Sequence, residues 1–308
     1  MQRQKGQKSF ADGWVEIRES FLDEVDRVVD WKRLMGTLQG VYGASTGRPS
    51  YPLEVLLKSV LLQQWYGLSD PQMEAALADR MSWRRFVGLG LTDAVPDHST
   101  LSRFRAQIAA RQEELWRAVQ EQLQGQGLLL KRGTMIDATL VQAASEDKAV
   151  DSEARTGRGS GDYVHGYKAH MAVDQGSELI RDVIVTPGNV NETVVADDLV
   201  QGDEGTVYAD AAYSTHRRRA TLWERGIRPA IVYRRHKNDR FVCPVMRAYN
   251  RMVSQTRARV ETVFAVLKQH MGWRRCRYIG LRRNTTHVYL LAVAYNLKRW
   301  TRLQPVMT

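Results

Sequence analysis

Cysteine is scarce in this chain, and long apolar runs are missing. Cys243 and Cys276 are the only cysteines among 308 residues. Two cysteines cannot form a disulfide framework or, alone, a structural zinc site, so we expect reduced thiols. No apolar run approaches the roughly 20 residues of a membrane helix, and the first residues contain no apolar signal-peptide core. We therefore expect a cytoplasmic protein that contacts no membrane.

Acidic residues are outnumbered. The chain has 45 Lys and Arg against 34 Asp and Glu, a formal net charge of +11. A protein this basic usually meets a polyanion, most often nucleic acid, although a solvated basic surface without a partner is the alternative. The clusters predict salt-sensitive, largely sequence-independent affinity for nucleic acid. They are Arg217–Arg219, Arg234–Lys237, Arg274–Arg275 and Arg282–Arg283.

The first 127 residues have helical patterns. Helical spacing over residues 14–40 predicts one or two short helices, and a helix is predicted from Pro52 to about Tyr66, ended by Gly67. The capping box Ser69–Gln72 opens a helix running to about Met81. Asp97–Thr100 supplies N-cap residues for a helix that ends near Gly125.

Three of these helices, with a basic last helix, resemble a helix-turn-helix module, and a plain helical bundle fits the pattern about as well. If the module binds DNA, the residues at the start of the last helix are best placed to contact it. They are Ser99, Thr100, Arg103 and Arg105.

After residue 130 the pattern changes to short β-rich runs alternating with helices. This order predicts a mixed α/β sheet with helices on its faces. Residues 145–162 are polar and Gly-rich, so we predict a mobile loop there. We expect a helical domain over 1–127 and an α/β domain over 128–308. Strands are predicted over residues 134–141, 167–173, 179–186, 206–209 and 228–233. Helices are predicted over residues 214–225 and 249–271.

Two aspartates occupy unusual positions in predicted strands. Asp137 lies inside the apolar run Met135–Thr139, and Asp210 ends the run Val207–Asp210. Aspartate is depleted within strands, and a buried unpaired charge is costly, so each carboxylate is expected to have a cation partner. A strand-end aspartate that caps the next turn is the alternative.

Glu261 shares one face of the last predicted helix with Arg257 and Lys268, at the border of an apolar stripe. Taken alone, this pattern fits an ordinary i,i+4 surface pair equally well. Three carboxylates with nearby cations also suit phosphodiester chemistry, because Mg²⁺ prefers oxygen ligands and two such ions can activate the attacking oxygen and stabilise the leaving one.

The sequence resembles the bacterial insertion-sequence DDE transposases of the "IS Five" type, over about residues 20–300. The resemblance is carried by motifs along the whole chain. They are Tyr51–Pro52, Pro96–Arg105, Asp137–Thr139, Gly166–His170, Thr186–Val190, Ala209–Tyr213, the Arg257/Glu261/Lys268 signature, Tyr278, Gly280–Leu281 and Ala294–Arg299.

The resemblance implies an RNase H-like catalytic domain with a five-stranded mixed sheet. It also implies that Asp137, Asp210 and Glu261 are catalytic and bind two Mg²⁺ (or Mn²⁺) ions, with Arg257 and Lys268 contacting phosphate. One departure is clear: Ser254 stands where the family signature has tyrosine.

Other polar residues carry weaker predictions. His165, Lys168 and His170 could contact DNA or orient Asp137, although a structural role in a strand is at least as well supported. Ser214 and His216 do not form a hydrolase triad with Asp210, because no nucleophile elbow surrounds the serine. Arg274 and Arg275 are further candidates for DNA contact. The tryptophans are expected to pack in the core: Trp65, Trp83, Trp116, Trp223 and Trp273.

The resemblance implies a DNA transposase that binds terminal inverted repeats, hydrolyses a strand at the element's end and transfers the freed 3′-hydroxyl to target DNA. Two DNA ends must be held together, so we expect a homodimer or larger assembly, associated with the bacterial nucleoid. Two alternatives stay open: a domesticated or inactive DNA-binding relative, which Ser254 slightly favours, and an RNase H-like nuclease without transposition.

Overall fold

The computed structural model describes residues 20–41, 50–159, 162–233 and 243–303. The chain folds into two compact units. The first, which we call the helical unit, contains the residues up to Gln126, residues 270–272 and the residues from Tyr289 onwards. The second, the sheet unit, contains Gly127–Gln269 and Trp273–Val288. None of the described helices is long and apolar enough to cross a membrane.

The helical unit is organised around one buried helix, α3, whose apolar side chains lie on all sides. Such a pattern is typical of a helix enclosed by others. Buried Lys58 forms ion pairs with Asp26 and, at 2.9 Å, with Glu54. The helices up to residue 126 are α1 (Phe21–Val28), α2 (Trp31–Thr37), α3 (Leu53–Tyr66), α4 (Asp70–Asp79), α5 (Met81–Val87), α6 (His98–Ile108) and α7 (Gln112–Gly125).

The predicted helix boundaries are largely confirmed in this unit. Gly67 ends α3 with a φ of 65°, a left-handed conformation that glycine adopts without strain. Ser69 and Gln72 form the expected capping box at the start of α4. Asp97 accepts a hydrogen bond from the backbone N–H of Thr100 and begins α6.

One long helix predicted after Asp97 is instead two helices. Tight backbone bonds from Ala110 to Gln107 and from Arg111 to Ile108 close α6. The next helix, α7, begins with Glu113 and Glu114 in its first turn, where negative charge is favoured by the helix dipole. The break therefore occurs where the sequence supplies a second helix start.

The sheet unit contains a six-stranded mixed sheet with the order β2-β3-β1-β5-β6, and β4 pairs with β3. β1 is antiparallel to β3 and parallel to β5, the arrangement expected of an RNase H-like fold. The strands are β1 (Thr134–Gln142), β2 (Arg155–Arg158), β3 (Tyr163–Asp174), β4 (Ile180–Pro187), β5 (Thr206–Ala209) and β6 (Arg228–Ile231).

Five predicted strands are present, and β2 is an additional one. It lies within 145–162, so the prediction of a loop there is wrong for residues 155–158, which pair with β3. Buried Asp151, in the same segment, accepts a hydrogen bond of 2.6 Å from Tyr167. Polar composition concealed these contacts, because a short edge strand needs few apolar residues.

Helices on the sheet include α8 (Glu192–Val195), α9 (His216–Glu224), α10 (Pro244–Arg257) and α11 (Arg259–Ala265), followed by a π-helical segment over Val266–His270. The last helix is α12 (Leu281–Leu303). The predicted helix over 249–271 thus begins earlier and is interrupted at Ala258. Four of the five tryptophans are buried as predicted, but the prediction is wrong for Trp223, whose side chain is 63% exposed.

Two predicted features lie outside the described residues. They are the basic cluster Arg234–Lys237 and the part of the 14–40 helical pattern before residue 20.

Candidate active site

Asp137 lies in the central strand of the sheet. Its neighbours Met135 and Ile136 are buried, and its own side chain is only 15% exposed. One carboxylate oxygen accepts a hydrogen bond from the backbone N–H of Ala138 at 3.0 Å. The other accepts one from Nη1 of Arg257 at 2.6 Å. Burial raises the pKa of Asp137 to about 6 despite the opposing charge of Arg257, so the carboxylate lacks sufficient positive charge around it.

Asp210 directly follows β5, the parallel neighbour of β1. Thr134 pairs with Val207 and Met135 with Tyr208, so continuing this register by two residues brings Asp137 level with Asp210. Asp210 is one of the charges that raise the pKa of Asp137. Its Oδ1 also accepts a hydrogen bond from the N–H of Ala212 at 2.8 Å, so it caps the next turn as well.

Glu261 is connected to Asp137 through Arg257. Nη2 of Arg257 lies 3.4 Å from Oε1 of Glu261, while Nη1 binds Asp137. The Glu261 side chain is 63% exposed. The i,i+4 surface pair considered for these residues is therefore present, and the same guanidinium links it to the buried aspartate. Exposed Ser254 lies on α10, one turn before Arg257.

Lys268, in the π-helical segment, fastens its helix to β1. Its Nζ donates to Oγ1 of Thr139 at 2.6 Å and to the carbonyl oxygen of Leu140 at 3.3 Å. Burial lowers the pKa of Lys268. The structure therefore brings Asp137, Asp210, Arg257 and Lys268 to one region of the sheet, with Glu261 at its exposed side.

Two residues of this region were not among the predicted site residues. Glu192, at the start of α8, lies close enough for its charge to raise the pKa values of Asp137 and Tyr213. Its side chain forms a 3.4 Å ion pair with Lys168. Tyr213 is completely buried, and among the described residues no hydrogen-bond partner lies near its hydroxyl. An Asn–Glu pair resembles an ordinary helix start, so sequence offered no signal for Glu192.

The histidines of β3 do not contact Asp137. His170 is completely buried, and its Nε2 lies 3.0 Å from Oγ1 of Thr186. Burial lowers the pKa of His170 to about 4, which keeps the ring neutral near pH 7. His165 lies 3.5 Å from the hydroxyl of Thr156, between Nδ1 and Oγ1. Neither histidine therefore orients Asp137, and contact of these side chains with DNA stays a prediction.

Two of the four residues predicted for DNA contact at the start of α6 are buried. Arg105 binds both carboxylate oxygens of Asp70, at 2.9 and 2.5 Å, and its side chain is 7% exposed. The prediction is therefore corrected for Arg105 and for Thr100, which cannot reach a DNA surface in this conformation. Ser99 and Arg103 are exposed. Arg105 follows Leu101 by four residues, which places it on the buried face.

The other basic clusters also divide between surface and interior. Arg274 and Arg275 are exposed, and Nε of Arg275 donates to the carbonyl oxygen of Ala143 at 2.8 Å. Arg217 is exposed, but Arg218 is buried and forms an ion pair with Asp197. Counting arginines therefore overstates the charge that this cluster presents to a polyanion.

The donor set fits a divalent cation by its chemistry. Carboxylate oxygens are the ligands that Mg²⁺ and Mn²⁺ prefer, the raised pKa of Asp137 indicates a shortage of positive charge, and the buried Tyr213 hydroxyl lacks an acceptor among the described residues. Within the described ranges, however, no three His, Cys, Asp or Glu side chains are close enough to hold an ion. A metal would therefore have to draw the carboxylates together.

Comparison with known proteins gives two family matches. A model described as "Transposase domain (DUF772)" matches residues 9–107. A model described as "Transposase DDE domain" matches residues 129–297, which include Asp137, Asp210 and Glu261. Among solved structures, a cryo-EM structure of the piggyBac transposase synaptic complex with hairpin DNA is similar at a TM-score of 0.46 and 12% identity. That match covers 89% of this chain and 71% of that chain.

Proposed function

This chain belongs to the DDE transposase family, and we propose that Asp137, Asp210 and Glu261 are its three catalytic carboxylates. It is a DNA transposase, an enzyme that cleaves DNA and transfers strands. The observation that carries the assignment is the position of Asp137: it lies in the buried central strand, level with Asp210, and is linked by Arg257 to Glu261.

Family membership implies dependence on a divalent metal ion. We propose Mg²⁺ or Mn²⁺, two ions per site, because both cleavage and strand transfer are displacements at phosphorus. When bound, such ions activate the attacking oxygen and stabilise the leaving oxygen. Asp137 and Asp210 supply oxygen donors from adjacent strands, and Glu261 supplies one from the helix that follows the kink at Ala258.

The two cations of the site have different parts in this proposal. Arg257 pairs with Asp137 and Glu261, and it would be available to a DNA phosphate if a metal held those carboxylates. Lys268 keeps its contacts with Thr139 and Leu140, so its charge stays beside the strand that holds Asp137. This division accounts for a guanidinium at one position and an ammonium at the other.

For DNA recognition we propose that residues 1–127 form the domain that binds terminal inverted repeats, and that residues 128–308 form the catalytic domain, which acts on those ends and on target DNA. Exposed Ser99 and Arg103 on α6 support the first assignment, and exposed Arg274 and Arg275 support a DNA surface on the second. Since a transposase must hold two ends together, we propose a homodimer or larger assembly.

The assignment is tested with Asp137→Asn, which keeps the shape of the side chain and removes its charge. We expect cleavage of repeat-end DNA in Mg²⁺ to fall below detection, while binding of the same DNA stays within a few-fold of the unchanged protein. Asp147→Asn, an exposed aspartate of the same unit, is the matched control and should cleave normally. Undiminished cleavage by Asp137→Asn would overturn the assignment.

The same assay separates the alternative functions. A nuclease without transposition would cleave an RNA–DNA duplex at least as well as repeat-end DNA, and it would not join a repeat end to target DNA. A domesticated relative would bind repeat ends without cleaving them, whatever the metal ion supplied.

A further inference from the structure

We propose that Glu192 is a fourth carboxylate of this metal centre and holds a divalent ion together with Asp137 and Asp210. The inference rests on the proposed function, because it assumes that Asp137 and Asp210 bind metal. It goes beyond the three-carboxylate site by placing one ion on β1, β5 and α8, without requiring Glu261.

Glu192 faces an open cleft that reaches the turn after Asp210. The cleft has a volume of about 320 Å³, and Glu192 lines it together with Lys168, Asn189 and Ala212. Ala212 is the residue whose N–H binds Asp210. Since both residues border one cleft, a hydrated ion entering it meets Glu192 and the Asp210 turn together.

The backbone next to Glu192 is fixed to the backbone next to Asp210 by one buried guanidinium. Arg218 donates from Nη1 to the carbonyl oxygen of Tyr213 and from Nη2 to that of Thr193, both at 2.7 Å. Its Nε also binds Asp197 at 2.6 Å. Arg218 therefore holds α8 against the 3₁₀ turn Ala211–Tyr213, so the backbones next to Glu192 and Asp210 stay together while their side chains remain able to move towards an ion.

A second feature of this region is the buried hydroxyl of Tyr213. The Tyr213 hydroxyl is fully buried and, in the described part of the chain, has no hydrogen-bond partner. The pKa of Tyr213 is raised by burial and then by the charges of Glu192, Asp137 and Asp210. The charges of all three carboxylates thus act on this buried hydroxyl, which remains able to donate to a carboxylate oxygen or to a water that moves towards it.

Glu192 can move away from Lys168 without leaving Lys168 unpaired. The Lys168–Glu192 contact of 3.4 Å is longer than a hydrogen bond, and Nζ of Lys168 also donates to the carbonyl oxygen of Val190 at 3.0 Å. A rotation of the Glu192 side chain therefore leaves Lys168 bonded. Glu261, in contrast, is 63% exposed and paired with Arg257, so the Glu192 side offers the more enclosed position for a first ion.

The test is Mn²⁺ binding by the full chain without DNA, followed by electron paramagnetic resonance. We expect Glu192→Gln to weaken Mn²⁺ binding at least about tenfold, and Glu261→Gln to change it less than about threefold. The loss should persist at about 0.5 M salt, where screening removes most through-space effects. Pulsed measurements in D₂O should count one more water on Mn²⁺ in Glu192→Gln, because a water replaces the lost ligand.

Controls separate this inference from the proposed function. Glu224→Gln, an exposed glutamate of the same unit, should bind Mn²⁺ normally, and Asp137→Asn should lose binding. Normal binding by Glu192→Gln beside a loss in Asp137→Asn overturns the role of Glu192 and leaves the proposed function intact. Normal binding by Asp137→Asn overturns both. If Glu192→Gln does not fold, Glu192→Asp replaces it: an affinity equal to that of Glu224→Gln would contradict the proposal.

Discussion

Each unit of this transposase contains a largely buried arginine–aspartate pair, and the two pairs differ in how many hydrogen bonds join their side chains. Arg105 grips both oxygens of Asp70 and also donates to Gln63. Arg257 touches one oxygen of Asp137, and no hydrogen-bond partner for its Nε lies among the described residues. An arginine that bonds both oxygens of a carboxylate holds it in one position, whereas an arginine that bonds only one oxygen can exchange its partner more easily.

The difference extends to other buried charges of the two units. In the helical unit, buried Lys58 has two acidic partners and lies over the rings of Trp31 and Phe86. In the sheet unit, the Asp137 carboxylate stays costly enough to have a pKa of about 6. The paired Lys58 stabilises the fold of the helical unit. The Asp137 carboxylate, in contrast, would be stabilised by a cation of higher charge than Arg257.

Arg105→Met should have the largest effect on stability. It leaves Asp70 buried without its cation, so we expect the free energy of unfolding to fall by about 3–5 kcal/mol, measured by urea denaturation. The nearby Arg103→Met removes an exposed arginine and should change stability by less than about 1 kcal/mol. Equal effects of the two substitutions would remove the structural role assigned to the Arg105–Asp70 pair.

Arg257→Gln should affect cleavage much more than stability. Removing the cation proposed to stabilise phosphate charge should slow cleavage of repeat-end DNA by about 10²–10³-fold, measured under single-turnover conditions. The unfolding midpoint should move little, since Arg257 lowers the pKa of Asp137 and its loss raises that pKa further, so the carboxylate can take up a proton instead of staying buried with an unpaired charge. Arg259→Gln, an exposed neighbour, is the control. A stability loss as large as that of Arg105→Met would make the two pairs equivalent.

A substitution of His170 tests whether a second buried polar side chain of the sheet lowers stability when it is charged. Its folded pKa, about 4, lies below the ordinary 6.5. Between these values the unfolded chain binds a proton at this position that the folded chain does not bind, so the contribution of His170 lowers stability as pH drops from about 6.5 to about 4, by up to about 3 kcal/mol. Asp137 and Asp182, whose folded pKa values are raised to about 6, contribute with the opposite sign over the same range. His170→Gln should therefore make the protein relatively more stable at pH 4.5 than at pH 7, compared with the unchanged protein. His216→Gln, at an exposed position, should leave the slope unchanged.

Arg103→Ala should have the smallest effect. A single exposed arginine at a DNA surface contributes one phosphate contact, so we expect affinity for repeat-end DNA to fall a few-fold and the salt slope to decrease by about one. Arg111→Ala, whose arginine pairs with Glu114 at 2.8 Å, is the comparison. An unchanged salt slope in Arg103→Ala would place the DNA surface of this unit elsewhere.

Sequence predicted the parts of the site that break local rules. Asp137 was selected because aspartate is rare inside an apolar strand, whereas Arg257 and Glu261 were selected by the family resemblance, since their helical spacing alone fits an ordinary surface pair. Glu192 broke no rule, since glutamate is common at a helix start. Its proximity to Asp137 depends on how β4, α8 and the turn after β5 meet in space, and that is a property of the assembled sheet.

The same contrast explains the errors in the helical unit. Arg103 and Arg105 were grouped by their charge, although Leu101, Phe104 and Ile108 define the buried face of α6 and Arg105 falls on it. Burial of an arginine requires a partner, and Asp70 lies 35 residues away in sequence. Periodicity could have separated the two arginines, but only the fold could identify the partner.

The π-helical segment Val266–His270 has a consequence for the angular phase of this helix. A π turn holds an extra residue, so the chain after it is rotated relative to a continuous α-helix. Lys268, seven residues after Glu261, would otherwise stay within about 20° of it. With the π turn, the two side chains point in different directions. Lys268 contacts Thr139 on β1, and the Glu261 side chain is exposed. Deleting one residue from this segment would restore the common phase, and Lys268 would then compete with Arg257 for Glu261.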